Sequence, residues 1–282
     1  MTKELPLLVK DSRELSVLVE SALKAGDIMR QGYGHLQNIE RKGYGDLVSE
    51  VDRNCDRSFQ ESFRAAFPDV PILSEEISPD TPHEVARLLI LDPLDGTSAY
   101  LYGVSSSIPS VMAAIRSNGQ IIYSVVYFPL TEELFYAIRG KGAYKESERL
   151  YCSDSELSNS WVEMNQYSNC IYESEVFKKL RKTLRSSLGA QLVTSLPANS
   201  GLGLRIAEGI IGKQKISAIV HDNGSKMLKQ GPWDVAPIAL IVEEAGGVVV
   251  NFEGQPYDIF APEPFIVAAS MKLAKEIIGC AK

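Results

Sequence analysis

The sequence predicts a layered α/β (α+β) protein, and three patterns carry that expectation. Two amphipathic helical stretches open the chain, a meander of short apolar strands fills its middle, and helical and strand patterns alternate through the second half. With 282 residues, 45% of them hydrophobic, the chain can bury a core suited to one large domain or two closely packed ones.

Each element has its own signal. Ser12 is placed to cap a helix whose apolar face is Leu15, Leu18, Val19, Ala22, Leu23 and Ile28. Val51, Cys55, Phe59 and Phe63 recur every fourth residue and predict a second helix that stops before Pro68. Between the two, the glycines of Lys42-Gly43-Tyr44-Gly45 predict a mobile flap, with Asp46 as a loop residue that orders it. Pro71-Ile72-Leu73 and Leu88 to Leu91 read as short buried strands. An antiparallel meander follows, with turns at Ser117-Asn118-Gly119, at Pro129-Leu130-Thr131 and at Gly140-Lys141-Gly142. Residues 153–169 show no clear pattern. Beyond them helices are expected over 173–186, 202–211 and 235–245, with strands near 191–194, 216–220 and 247–252. No internal repeat or low-complexity linker interrupts the chain, so a boundary near Tyr151 reads as a packing seam.

Charge and cysteine usage narrow the function classes. The formal charge of -7 comes from 36 acidic and 29 basic residues without a basic tract, which argues against a nucleic-acid partner. Four scattered cysteines, Cys55, Cys152, Cys170 and Cys280, lack metal-ligand spacing and read as reduced thiols. The N-terminal stretch has no apolar signal segment and no run reaches membrane-spanning length, so a cytoplasmic protein without a membrane partner is expected.

The stretch 90-ILDPLDGTSAY-100 carries the chemistry. An apolar run enters two aspartates three apart, with Pro93 fixing a bend and Gly96 permitting close backbone approach. Asp92, Asp95 and the Leu94 carbonyl can then share one small volume, where like charges repel until a cation enters. All-oxygen ligation suits a hard ion, chiefly Mg²⁺. If a helix begins after Thr97, the amides of Gly96 and Thr97 face the same spot and accept an anion. Asp-Pro or Asp-Gly alone would be ordinary turn punctuation, whereas the five fixed positions of D-P-x-D-G-T read as a turn that belongs to a site. Asp234 stands at the expected N-cap of an apolar helix ending at Gly246-Gly247. Trp233 reads as packing, and His35, His83 and His221 as ordinary surface or core residues.

Four segments, 45-GDLVSEVD-52, 74-SEE-76, 92-DPLDGT-97 and 233-WDVAPIALIVEEAGG-247, with 140-GKGAY-144 in support, resemble the inositol monophosphatase family in content and order. The resemblance implies an αβαβα sandwich. Residues 1–150 would form an N-terminal α+β region with the antiparallel sheet and most metal ligands, and residues 151–282 a C-terminal α/β region completing the active site. It implies metal ligation by Glu75, Asp92, the Leu94 carbonyl, Asp95 and Asp234, with two or three Mg²⁺ ions. It implies that Asp52 lies near the catalytic water and that Thr97 works with Glu75 to orient it. Expected substrate contacts are Asp95, Gly96, Thr97, Asn199, Ser200 and Asp234. The implied reaction is Mg²⁺-dependent hydrolysis of a small phosphomonoester, inositol monophosphate or a similar polyol or sugar phosphate, by metal-activated water. Lithium sensitivity and a homodimer belong to the same expectation. The chain departs from the family at Ser98-Ala99-Tyr100, where an amide is lost before the aromatic residue, and at 198-ANSGLG-203, where Ala198 replaces the usual glycine. Lys226 and Lys229 on the expected pocket rim keep a 3'(2'),5'-bisphosphate nucleotidase as an alternative, and a non-catalytic phosphate-sensing module is the alternative from another class.

Overall fold

Ser12 opens the helical layer as its sequence position predicts. Its hydroxyl accepts from Leu15 N at 3.3 Å and caps α2 (Arg13–Gly32), which follows the single turn α1 (Leu7–Lys10). The computed structural model describes residues 5–35, 39–43, 46–103, 108–152, 156–165, 175–186, 192–194, 216–222, 231–261 and 263–281. β1 (Glu40–Gly43) and β2 (Asp46–Val48) pair as an antiparallel ribbon, so Asp46, expected in a loop, begins a strand; Tyr44 and Gly45 of the expected flap lie outside the described residues. Arg53 of α3 (Glu50–Ala66) forks onto the Glu40 carboxylate at 3.0 and 2.5 Å, tying the ribbon to that helix. Helix α3 ends before Pro68, because the residue preceding a proline is pushed out of the helical region.

Among the described residues the central sheet has seven strands in the order β3 (Ile72–Ser74), β4 (Arg87–Asp95), β5 (Ser110–Ser117), β6 (Gln120–Phe128), β7 (Glu133–Ile138), β8 (Gly142–Lys145), β9 (Glu148–Arg149). Only β3 and β4 pair in parallel; the rest is the expected meander. Asn118 and Gly119 both take positive φ, 47° and 85°, which matches the twist of a two-residue hairpin. Between β4 and β5 lies the short helix α4 (Thr97–Tyr102).

A second sheet follows the order β11 (Leu192–Thr194), β10 (Trp161–Asn165), β12 (Ile216–His221), β14 (Phe265–Ala268), β13 (Val248–Asn251). It is parallel through β10, β11 and β12 and antiparallel at β14. Strand β10 falls in the stretch without a readable pattern, where the buried Glu163 breaks the apolar run. Strand β14 and the last helix are further elements beyond the sequence expectation. The helices are α5 (Glu175–Ser186), α6 (Pro232–Glu244) and α7 (Met271–Ala281). The helix expected over 202–211 lies outside the described residues.

Burial sorts these elements into an αβαβα sandwich, as the resemblance implied. One face of the central sheet, with Leu89, Leu91, Val111, Ala113 and Tyr127, packs on α2 and α3. Its other face, with Leu88, Ile90, Met112 and Phe128, packs on α6, whose far side meets Ile219, Val249 and Phe265 of the second sheet. The outer face of that sheet buries Val162, Val220 and Ile266 against α5 and α7. Helix α6 is thus apolar on all sides because sheets lie on both sides of it. Its C-terminal end is gripped from the first half of the chain: the Glu244 carboxylate accepts from Gly140 N at 2.7 Å and Gly142 N at 2.8 Å. His221 stacks on Phe265 with centroids 5.0 Å apart, as a core histidine.

Helix α2 meets the sheet at Gly26, where an added Cβ would lie 2.5 Å from Cε1 of Tyr127. The tyrosine cannot swing away freely, since its hydroxyl accepts from Arg30 Nη1 at 2.7 Å. Helix propensity alone would make Gly26→Ala stabilising by about 1 kcal/mol. The expected outcome has the opposite sign, a loss of about 1–3 kcal/mol from overpacking. A urea midpoint at or above that of the wild type would contradict this packing.

Candidate active site

Strand β4 answers why two carboxylates stand three residues apart. In a regular strand residues i and i+3 face opposite sides of the sheet. Here Asp92 pairs with Met112 and Asp95 with Ser110, so three steps along β4 match two along β5. That one-residue bulge at Pro93-Leu94 brings both aspartates to the face that packs on α6. Proline fits the bulge because it has no N–H to give the ladder. The Asp92 carboxylate accepts from Leu94 N at 3.0 Å, and Ser110 Oγ donates to Asp95 at 3.1 Å. The segment is therefore bulged strand, where the sequence suggested a turn. Gly96 follows at φ 82°, a left-handed conformation that favours glycine, and α4 begins at Thr97.

Two other elements close on this face. Asp234 lies at the third position of α6, not at its N-cap: Gly231 is the capping residue and its N–H donates back to Asp234 Oδ2 at 2.7 Å. Pro232 takes the first helical position, where a missing N–H costs nothing. One carboxylate oxygen from each of Asp92, Asp95 and Asp234 lies within 4.8 Å of the others. Glu75 continues β3, and its N–H donates to Leu91 O at 3.2 Å, which sets it beside Asp92.

Asp52 is also the third residue of its helix and also turns back on the cap. Its Oδ2 accepts from Ser49 N at 2.8 Å and from the Ser49 hydroxyl. Its Oδ1 accepts from the Thr97 hydroxyl at 2.7 Å, a hydroxyl that also lies 3.1 Å from Leu94 O. The wall at Asp52 and the bulge of β4 are joined by that one side chain.

Burial raises the pKa of Asp92 well above the usual aspartate range, and the neighbouring charges of Glu75, Asp95, Asp234 and Glu76 raise it further. Asp52 is raised as well, by burial first, with the hydrogen bonds from Ser49 and Thr97 opposing the rise. Such a donor set, anionic, oxygen-only and self-repelling, fits a hard divalent cation.

The family model for the inositol monophosphatase family matches residues 11–281. The chain belongs to that family. Inositol monophosphatase 1 of Solanum lycopersicum is 31% identical over 251 residues, spanning 87% of this chain and 86% of its own. The fructose-1,6-bisphosphatase/inositol-1-monophosphatase of Thermotoga maritima is 28% identical over 239 residues, 84% of each chain. Among solved structures, the extragenic suppressor protein suhB from Bartonella henselae superposes with a TM-score of 0.81 at 26% identity, covering 96% of this chain and 99% of that one. As an inositol monophosphatase family member the protein is a phosphoric monoester hydrolase acting on a phosphorylated metabolite.

The structure brings together Asp52, Glu75, Asp92, Leu94, Asp95, Gly96, Thr97 and Asp234, of which Asp92, Asp95 and Asp234 form the cluster within 4.8 Å. Asn199, Ser200, Lys226 and Lys229 lie outside the described residues. Trp233 packs against the core between the sheets, and its indole closes over Gly231, where an added Cβ would lie 2.3 Å from Cε2. Sequence reasoning missed Ser49, Ser110 and Asp56. Asp56 had a visible signal: with Asp52 it places two acids on the stripe of α3 that also carries Phe59 and Phe63.

Because the folded-state pKa of Asp92 is raised, metal-free folded protein binds more protons than the unfolded chain above the unfolded value of about 3.9. Its stability therefore falls as pH rises from there through the raised value. Asp92→Asn should flatten that slope in EDTA, as read from urea midpoints across pH. An unchanged slope would show that the carboxylate cluster is not the source of the dependence.

Proposed function

We propose that this phosphatase hydrolyses inositol monophosphate or a similar polyol or sugar phosphate, using Mg²⁺ held by Glu75, Asp92, Asp95, Asp234 and the Leu94 carbonyl. The convergence of three carboxylates within 4.8 Å carries the reading. When bound, Mg²⁺ supplies charge neutralisation for phosphate and leaving oxygens and acidifies water.

The chain's own residues then have distinct tasks. The single proton of the Thr97 hydroxyl is directed to Asp52 Oδ1, so Thr97 Oγ is left to accept a hydrogen bond from water. Glu75 is the second acceptor. A water that donates to both presents a lone pair toward phosphorus, forms the new P–O bond and yields a proton to Glu75 as the ester P–O bond breaks, while the leaving oxygen takes a proton from a second water and departs as the alcohol. No covalent enzyme intermediate is needed. Asp52 is itself held by the helix cap, so Thr97 is oriented by backbone. Gly96 and Thr97, at the start of α4, offer amides to the phosphate, and Asn199 and Ser200 are assigned to the polyol. A homodimer in the cytoplasm completes the proposal.

A panel of small phosphate esters sets the assay. Phosphate release is measured on inositol 1-phosphate, fructose 1,6-bisphosphate, adenosine 3',5'-bisphosphate and histidinol phosphate, with kcat/KM highest expected for the inositol ester. EDTA should abolish turnover, and Thr97→Val should lower kcat by about 10²–10⁴-fold, the range for a lost proton-handling contact. Full turnover in EDTA, or wild-type kcat in the variant, would reject the mechanism. Li⁺ should inhibit where Na⁺ at matched ionic strength does not, because a small monovalent ion can take a Mg²⁺ position without delivering its charge; equal responses to the two salts would count against that subtype of site.

A further inference from the structure

We infer that Asp56 is a positioning residue for the metal site, holding the turn from Ser74 to Ser78 so that Glu75 and Glu76 stand beside Asp92. The inference rests on the reading of Glu75 as a ligand given above. Asp56 is fully buried on α3, one helical turn after Asp52. Its Oδ2 accepts from the Ser74 hydroxyl and from Ile77 N at 3.0 Å, and its Oδ1 accepts from Gln60 Nε2 at 2.7 Å.

These donors bracket Glu75 on both sides. The base of the turn is closed separately: Ser74 N donates to Ser78 O at 3.3 Å, and Ser78 Oγ donates to Ile72 O at 2.9 Å. What Asp56 adds is the interior of the turn, where Ile77 N and the Ser74 hydroxyl need an acceptor. The Asp56 Oδ2 meets both needs from one side chain. The turn is then locked to the same rigid helix that carries Asp52. A single ruler, α3, thereby sets both the Thr97 wall through Asp52 and the Glu75 wall through Asp56, and the spacing of the two is a property of helix geometry.

The test compares wild type, Asp56→Ala and Ser74→Ala by calorimetric titration with Mg²⁺ alone and by the Mg²⁺ concentration for half-maximal phosphate release. Partners that orient metal ligands typically change metal affinity by about 10–100-fold, and Asp56→Ala should weaken Mg²⁺ binding within that range, with turnover partly recovered at high Mg²⁺. Ser74→Ala removes one of the donors and should shift affinity the same way by less; it keeps the test decisive if the alanine at 56 does not fold. A variant that melts earlier yet binds Mg²⁺ with wild-type affinity would show that Asp56 only supports the fold, and would overturn the inference. Wild-type protein that neither binds Mg²⁺ nor needs it would overturn the metal reading of the site itself.

Discussion

Like charge held in a small, buried volume is the constraint on which the rest of this structure depends. Asp92 is buried among Glu75, Glu76, Asp95 and Asp234, and each neighbour makes its ionised form harder to sustain. A chain tolerates that arrangement only if the surrounding structure over-determines it. The sandwich does so by drawing the acids from different rigid elements: two from a bulged central strand, two from just past the strand end beside it, and one from the first turn of a helix buried between two sheets.

The helices contribute through their first turns. Asp52 and Asp234 are both third residues, and each accepts the backbone N–H of its own capping residue. The bond fixes the side chain close to its backbone and aims it along the helix end, so each aspartate needs little further support. Asp95 takes its support from Ser110 across the ladder, and Asp92 from the amide two residues on. Site geometry of this kind is set mostly by backbone, which is why its precision does not depend on mobile side chains.

Much of this was legible in the residues. Ser12, Asn118-Gly119 and the fourfold spacing of Val51, Cys55, Phe59 and Phe63 announce local structure, because caps, hairpin turns and amphipathic faces are decided within a few residues. The D-P-x-D-G-T motif announced the cation chemistry. Strand β10 was hidden by a buried glutamate, and the ribbon of 40–43 and 46–48 by its glycine-rich sequence, since pairing there is settled by a partner strand and not by local propensity. Asp234 was read as a cap when it is the residue that reaches back to one; the two roles differ by three positions and share one appearance in sequence.

By itself, then, the sequence determined which residue types could hold a hard cation, in what order along the chain, and which stretches would be helix or meander. It could not determine that Asp92 and Asp95 face the same way, because a period-two strand puts them on opposite sides until the register against β5 slips by one residue. It could not place Asp234 against them, since that contact depends on α6 packing between the two sheets. Nor could it join Asp52 to Thr97 or Asp56 to the turn after β3, which lie 45 and 18 residues apart along the chain. Local interactions write themselves into adjacent residues; contacts across such separations are chosen only when the apolar layers close and fix where each helix end must lie.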